Sequence, residues 1–286
     1  MFEYAALYYQ LTKPGIIRGN LIHVLAGVLF ASSTAISWPS VLGVLVGTSL
    51  VIASACVCNN YMDRSMDARM ARTKNRASVT GKIPLINGMV FAVLLALGGW
   101  YTLYALTNWL VMLIGLVAFI FYVFIYGWAK RRTVHSTLVG AIPGALPAMA
   151  GYVAISGHLS IGAWLIFLLI FTWQMPHFYA ISLFRRKEYA AAAVPVLGVV
   201  KPFQTVKNYM LLYIVLYVSV IAAMIATETA RPAAGMLLLA GAAYWVYVFM
   251  MTKGDQDKWA KSIFGASLVL TLILPIAGLL NMVMSV

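Results

Sequence analysis

Charged residues are scarce in this chain. They make up 9% of its 286 residues, and only seven are acidic, whereas 63% of the residues are hydrophobic. Soluble globular domains carry roughly 25% charged residues and about half apolar ones. Water cannot be the solvent for so much apolar surface, so we predict that lipid surrounds most of the chain.

Cysteine is also rare. Cys56 and Cys58 lie two positions apart in an apolar run, too close for an ordinary disulfide, and no metal-ligating side chains accompany them. We interpret them as packed thiols, which require no oxidising compartment. Residues 1–15 lack the ordered features of a cleavable signal peptide, so the first apolar segment is expected to remain as a membrane helix.

The apolar residues form nine segments, each close to the roughly 20 residues that a membrane helix needs. They lie near residues 16–34, 39–60, 84–106, 108–128, 136–156, 160–183, 205–227, 231–251 and 262–284. Hydrocarbon offers the backbone no hydrogen-bond partners, and the segments show no two-residue alternation typical of barrel strands. We therefore predict an all-α, polytopic membrane bundle forming one transmembrane domain over residues 1–286.

Basic residues occur almost entirely on one side of this predicted bundle. Every Lys and Arg except Arg231 lies in the N-terminal stretch, in alternate loops or at the adjoining helix ends. Positive charge is retained on the cytoplasmic side, so we predict that the N-terminus lies inside and the C-terminus outside. The basic residues that give the net charge of +13 lie in short runs between apolar segments. This distribution argues against a nucleic-acid partner. The outer connections, around 32–38, 107–109, 157–160 and 228–231, are too short for an extracellular domain.

Two long inner loops, 61–83 and 184–204, are the predicted functional loops. The first contains NNYMDRSMDARMARTKNR, in which Asn59, Asp63 and Asp67 are spaced four residues apart. At 3.6 residues per turn, these side chains lie along one helical stripe. Carboxylate and amide oxygens suit Mg²⁺, so the stripe predicts a magnesium site at the membrane boundary.

A basic cluster surrounds these acids, and arginine favours bidentate contacts with phosphate oxygens. Its members are Arg64, Arg69, Arg72, Lys74, Arg76 and Lys82. Acidic side chains on one helical stripe, beside a basic cluster, predict a site that binds a polyphosphate bridged by a metal ion. The alternative is a solvated loop with incidental salt bridges.

The second region reads WQMPHFYAISLFRRKEYAAAAVPVLGVVK. His177 lies inside an apolar span after Pro176, and an ionisable residue within a membrane is a functional candidate. The alternative is a buried neutral histidine with one hydrogen bond. Downstream lies a charged cluster, Arg185, Arg186, Lys187 and Glu188, which either serves the site or is ordinary inner-face charge.

The aspartate motif resembles the first aspartate-rich motif of the UbiA superfamily of intramembrane prenyltransferases. LTKPGIIRGN, RTKNR, VGAIPGALPAMAGY, WQMPHFYA and VPVLGVVK, in order from Leu11 to Lys201, resemble the branch of that superfamily that farnesylates haem B. The resemblance implies nine spans around a central cavity open to the cytoplasm. It also implies transfer of the farnesyl group of farnesyl diphosphate to a vinyl group of haem B, with water added to give haem O.

Roles for individual residues follow from the resemblance. Asn59, Asp63 and Asp67 hold Mg²⁺, His177 orients the haem or acts near the vinyl group, and haem B is a substrate, not a prosthetic group. The expected substrate-binding residues are Arg18, Arg64, Arg72, Lys74, Arg76, Arg185, Arg186, Lys187 and Glu188. In this family the product serves terminal oxidases, so the resemblance implies a haem A synthase or an oxidase assembly as a candidate partner and the bacterial cytoplasmic membrane as the location.

Two positions depart from the family pattern. The second motif offers only Glu188 where an aspartate is more usual, so Glu188 is either a further metal ligand or the partner of a nearby cation. Arg18 stands where some relatives have an apolar residue, and it either contacts a haem propionate or lies at the interface. The competing functions are prenyl transfer to an aromatic quinone precursor, a transporter with a cation site, and a structural or assembly subunit.

Overall fold

The fold is known from a computed structural model, which describes residues 2–31 and 37–284. The outer connection predicted around 32–38 falls mostly at 32–36, outside the described residues. In chain order the α-helices are α1 (Phe2–Leu11), α2 (Pro14–Ala31), α3 (Trp38–Met62), α4 (Arg64–Asp67), α5 (Ala77–Thr80), α6 (Leu85–Leu106), α7 (Trp109–Ile120), α8 (Gly127–Arg132), α9 (Ser136–Ser156), α10 (Ile161–Phe184), α11 (Arg186–Ala191), α12 (Leu197–Val200), α13 (Phe203–Ala226), α14 (Pro232–Met251) and α15 (Gln256–Val283). A π-helical segment, Phe121–Tyr126, joins α7 to α8.

The described residues contain no β-strand, which confirms the predicted all-α class. Nine helical stretches within them are long and apolar enough to cross a membrane, in agreement with the nine predicted segments. These stretches are α2, α3, α6, the continuous run from α7 to α8, α9, α10, α13, α14 and α15. The long inner loops contain short helices, α4 and α5 in the first and α11 and α12 in the second.

Two predicted boundaries differ from the structure because polar residues extend the helices. Asp255 caps α15, since its carboxylate accepts a hydrogen bond from the Lys258 N–H at 2.7 Å. The helix therefore begins at Gln256, six residues before the predicted apolar segment that starts at 262. The fourth span continues through the π-helical segment to Arg132, so Lys130 and Arg131 belong to a helix end instead of a loop. Helix α1 was not predicted.

Small residues bring the spans into close contact. A side-chain carbon on Gly151 of α9 would overlap the Val24 carbonyl oxygen of α2, and one on Gly27 would overlap the Ala148 carbonyl oxygen. Within hydrocarbon the hydrophobic effect does not drive helices together, so van der Waals contact between closely packed backbones has to stabilise their association. The α2–α9 contact consequently depends on glycine at both positions.

Helix α10 is the most buried of the spans and connects to α15 through polar contacts. The Trp173 indole donates a hydrogen bond to the Ser267 carbonyl oxygen at 2.9 Å. The Gln174 amide of the same helix lies 3.3 Å from the Ala141 carbonyl oxygen of α9. These bonds satisfy buried polar groups while they set the neighbours of α10.

We predict that Gly151→Ala lowers the free energy of unfolding by about 1–3 kcal/mol, the usual cost of overpacking. The matched control is Gly265→Ala in α15, where a new Cβ meets nothing within 4 Å. Alanine is favoured over glycine in a helix by up to about 1 kcal/mol, so the control should be neutral or stabilised. Thermal unfolding in one detergent measures both variants. Equal stability of the two would contradict the close α2–α9 approach.

Candidate functional site

The predicted acidic stripe lies where α3 gives way to α4. Asn59, Asp63 and Asp67 are all buried. The α-helix is interrupted at Asp63, but the Asp63 N–H donates to the Asn59 carbonyl and the Asp67 N–H to the Asp63 carbonyl, each at 2.9 Å. These bonds maintain the four-residue spacing across the interruption, so the chain keeps its helical path through all three residues.

Asp63 is held by two bases from the inner end of the fourth span. Buried Lys130 forms an ion pair with Asp63 Oδ2, and an Arg131 guanidinium nitrogen lies 3.3 Å from Asp63 Oδ1. The Lys130 ammonium also lies 5.3 Å from the centre of the Tyr126 ring, at the end of the π-helical segment. The continued helix therefore carries these bases to the carboxylate.

Asp67 is held from within its own loop. The Arg76 guanidinium donates to Asp67 Oδ2 at 2.6 Å and to the Asn60 side-chain oxygen at 3.4 Å. The Thr73 hydroxyl donates to the Asp67 carbonyl oxygen at 2.8 Å, which closes the turn between them. Arg76 is the predicted substrate-binding residue that the structure places directly beside the acids.

Asn59 receives a base from the N-terminal side. The Lys13 ammonium donates to Asn59 Oδ1 at 3.0 Å. Lys13 links α1 to α2 with a φ of 53°, a left-handed conformation that is uncommon for a non-glycine residue. Burial lowers the pKa of the Lys13 ammonium; the Arg76 guanidinium adds to this effect, and Cys56, Asp63 and Asp67 oppose it without reversing it.

These contacts bring four bases, Lys13, Arg76, Lys130 and Arg131, to one amide and two carboxylates. Of these bases, the sequence analysis assigned only Arg76 to the site. The others had been counted as inner-face charge, and no local pattern distinguishes them. The surplus of positive charge favours a polyanion.

The donor set fits a hard divalent cation. Carboxylate and amide oxygens are the ligand types that Mg²⁺ takes in proteins. The Asn59 Oδ1 oxygen accepts from Lys13, whereas the buried Asn59 Nδ2, a donor and not a metal ligand, has no hydrogen-bond partner among the described residues. Across the described ranges, no three His, Cys, Asp or Glu side chains converge on a possible metal position, so Glu188 is not grouped with Asp63 and Asp67.

The second inner loop meets the first at its edge. The Glu188 carboxylate lies 3.7 Å from the Arg72 guanidinium, so it pairs with a cation of the other loop. Arg186 donates to the Gln256 side chain at 3.0 Å, and Arg185 lies over the Phe184 ring. The other predicted binding residues are exposed and have no ion-pair partner among the described residues: Arg18, Arg64, Lys74 and Lys187.

His177 lies deeper in the bundle, seven residues before the end of α10, which corresponds to about 10 Å along the helix. Its Nδ1 is 2.7 Å from the Ser267 hydroxyl, and its ring stacks on Trp173 with 4.8 Å between centres. His23 of α2 makes an edge contact with Trp173, with 5.2 Å between ring centres. Both ring nitrogens of His23 are buried without a hydrogen-bond partner in the described part of the chain.

Comparison with known sequences identifies close similarity over most of the chain. A sequence model of the UbiA prenyltransferase family matches residues 20–269. The chain is 41% identical over 267 residues to the protoheme IX farnesyltransferase of Photorhabdus laumondii, covering 92% of this chain and 90% of that protein. The protoheme IX farnesyltransferase of Citrobacter koseri matches with the same identity and coverage.

Solved structures share the fold. One described as digeranylgeranylglyceryl phosphate synthase superposes with a TM-score of 0.81 at 17% identity, covering 99% of both chains. A UbiA homologue from Archaeoglobus fulgidus bound to DMAPP and Mg²⁺ gives a TM-score of 0.72 at 16% identity, covering 96% of this chain and 99% of that one. At such identities the likeness concerns the fold alone, and it confirms the predicted helical architecture.

We predict that Lys130→Met lowers the free energy of unfolding by about 3 kcal/mol, because removing one partner leaves a buried carboxylate undercompensated. Asp63→Asn combined with Lys130→Met should recover part of this loss. The control is Arg132→Met, an exposed neighbour that should change stability by no more than about 0.5 kcal/mol. Thermal unfolding in detergent measures all three. A Lys130→Met variant as stable as the control would show that the pair does not stabilise the fold.

Proposed function

The chain belongs to the UbiA prenyltransferase family, and from that membership we propose that it transfers the farnesyl group of farnesyl diphosphate to a vinyl group of haem B, with water added, to give haem O and diphosphate. It is an integral membrane protein. Relatives named for protoheme IX farnesylation align with most of the chain, which supports this choice of substrates. The structural observation that carries the proposal is the group of Asn59, Asp63 and Asp67 oxygens amid four bases.

The three residues of the acidic stripe would hold Mg²⁺. This ion commonly takes one or two carboxylates and completes its shell with water and substrate phosphates. When bound, it supplies Lewis-acid stabilisation of the negative charge that develops on the departing diphosphate. The Archaeoglobus fulgidus homologue of the same fold contains both Mg²⁺ and DMAPP, which supports a divalent cation here. The pairing of Glu188 with Arg72 supports a role in joining the inner loops.

The bases around the stripe bind and neutralise the diphosphate. Arg76 and Arg131 present planar guanidinium groups that can each contact two phosphate oxygens, while Lys13 and Lys130 act as point charges. Asn59, Asp63 and Asp67 hold these groups at the site, so positive charge is available next to the leaving group. The exposed Arg64 and Lys74 remain proposed contacts at the mouth of the site.

We assign a role in the chemistry at haem B, the farnesyl acceptor, to His177. Addition of the farnesyl group to the vinyl carbon leaves a carbocation on the porphyrin side chain; water then adds, and one proton must leave. The Ser267 hydroxyl donates to the Phe264 carbonyl at 2.6 Å, so we assign the proton of His177 to Nδ1, as the donor to Ser267. Nε2 then carries a lone pair, and we propose that it accepts the released proton.

We predict that Asp63→Asn and Asp67→Asn each reduce haem O formation by about 100-fold or more, because each removes an anionic ligand of the proposed Mg²⁺ ion and, with the ion, the charge stabilisation it supplies at the leaving group. The assay combines purified protein, haem B, farnesyl diphosphate and Mg²⁺, and separates the haems by chromatography and mass spectrometry. Glu228→Gln, which changes an exposed carboxylate at the opposite end of the bundle, is the control expected to keep activity.

The acceptor determines how this assay is interpreted. Prenylation of an aromatic quinone precursor by folded protein, without conversion of haem B, would replace the proposed acceptor and keep the prenyl transfer. Full activity of both aspartate variants would contradict the proposed site. Product formation after complete chelation of divalent cations would contradict the role of Mg²⁺.

The membrane orientation is part of the same proposal, because the acidic stripe should face the cytoplasm. In a chain with Cys56 and Cys58 replaced by alanine, we predict that an impermeant maleimide added to intact cells labels Thr227→Cys but not Lys253→Cys. These exposed positions lie at opposite ends of α14. Permeabilised cells should label both. Labelling of Lys253→Cys alone in intact cells would reverse the orientation.

A further inference from the structure

A cleft of about 430 Å³ lies between the inner end of α10 and the beginnings of α13 and α15. Its lining combines the basic side chains of Arg186, Lys187 and Lys201 with apolar contributions from Leu183, Val199 and Phe203. No residue of the first inner loop lines it. The neighbouring Glu188 is turned toward Arg72 of that loop, so the cleft is separate from the acidic stripe.

The cationic side of the cleft is incompletely neutralised. Arg186 is engaged by Gln256 at 3.0 Å and lies 4.0 Å from the Asp257 carboxylate. Lys187 and Lys201 are exposed, and neither has an acidic partner in the described part of the chain. Two free ammonium groups therefore face the same cavity, where they attract an anion.

The cleft also lies at the depth of lipid headgroups. Helix α10 ends at Phe184, α13 begins at Phe203 and α15 begins at Gln256, so the cavity is bordered by the inner ends of three spans. A free phosphate would use only the cations, whereas a phospholipid also covers the exposed apolar surface of Val199. Basic pockets between membrane helices on the cytoplasmic side favour anionic lipid headgroups.

We propose that this cleft binds the headgroup of an anionic phospholipid. Lys187 and Lys201 contact the phosphate, and Arg186, held by Gln256, provides a third donor. The glycerol and upper acyl carbons lie against Leu183, Val199 and Phe203. The bound lipid thus connects the second inner loop to the α15 end of the bundle. Arg186 and Lys187, expected from the sequence to bind substrate, line this cleft, which no residue of the acidic stripe enters.

Native mass spectrometry of the full chain, purified in detergent, tests this proposal. The protein is titrated separately with phosphatidylglycerol and with phosphatidylcholine of the same acyl chains, and inorganic phosphate is added as a competitor. We expect selective retention of phosphatidylglycerol that millimolar phosphate does not displace. Lys187→Gln with Lys201→Gln should weaken this binding by about 30-fold, the effect expected from neutralising two cations near a lipid surface.

The matched control is Lys82→Gln with Lys253→Gln, which removes the same charge from exposed inner positions outside the cleft. It should bind phosphatidylglycerol like the unaltered chain, and Lys187→Arg with Lys201→Arg should retain binding and verify that the altered loop folds. Equal weakening in the control would assign the effect to general surface charge. Equal retention of the two lipids, or displacement by phosphate, would also overturn the proposal.

Discussion

The inner end of this bundle depends on the requirement that a buried charge have a partner. Neither Asp63 nor Lys130 could be buried alone without a cost of several kcal/mol, and each compensates the other. Their contact joins the end of α3 to the end of the fourth span. It gives a reason for the continuation of that span through the π-helical segment to Arg132, since a helix ending earlier would not carry Lys130 to the carboxylate.

The helices of this bundle are held together in two ways. In the outer half of the bundle, small residues such as Gly27 and Gly151 allow the backbones of α2 and α9 to approach, which membrane helices need because they gain no hydrophobic energy from each other. At the inner end, polar and charged side chains connect the spans. This division suits the proposed reaction, in which the polar end would bind the diphosphate and the apolar surroundings would hold the farnesyl tail and the porphyrin.

Local features explain how much could be predicted from the sequence. The nine spans follow from apolar runs that repeat at membrane length, and the register of Asn59, Asp63 and Asp67 follows from the helical period. Residues 256–261 of α15 were missed because most of them are polar, although Asp255 three residues before Lys258 is a recognisable cap. Helix α1 was missed because it is too short to resemble a span. No sequence pattern predicts the π-helical segment.

The sequence by itself determined that lipid surrounds the protein, that the protein is helical, and where its acidic stripe lies. Composition and local spacing are sufficient for each of these inferences. Tertiary structure alone decided which of the twenty basic residues accompany that stripe. Lys13 and Lys130 lie 46 and 67 positions from the groups they contact. In the sequence they look like any other charge retained at the inner face. Only the packing of the helix ends distinguishes them, because an ion pair depends on distance in space and has no period along the chain.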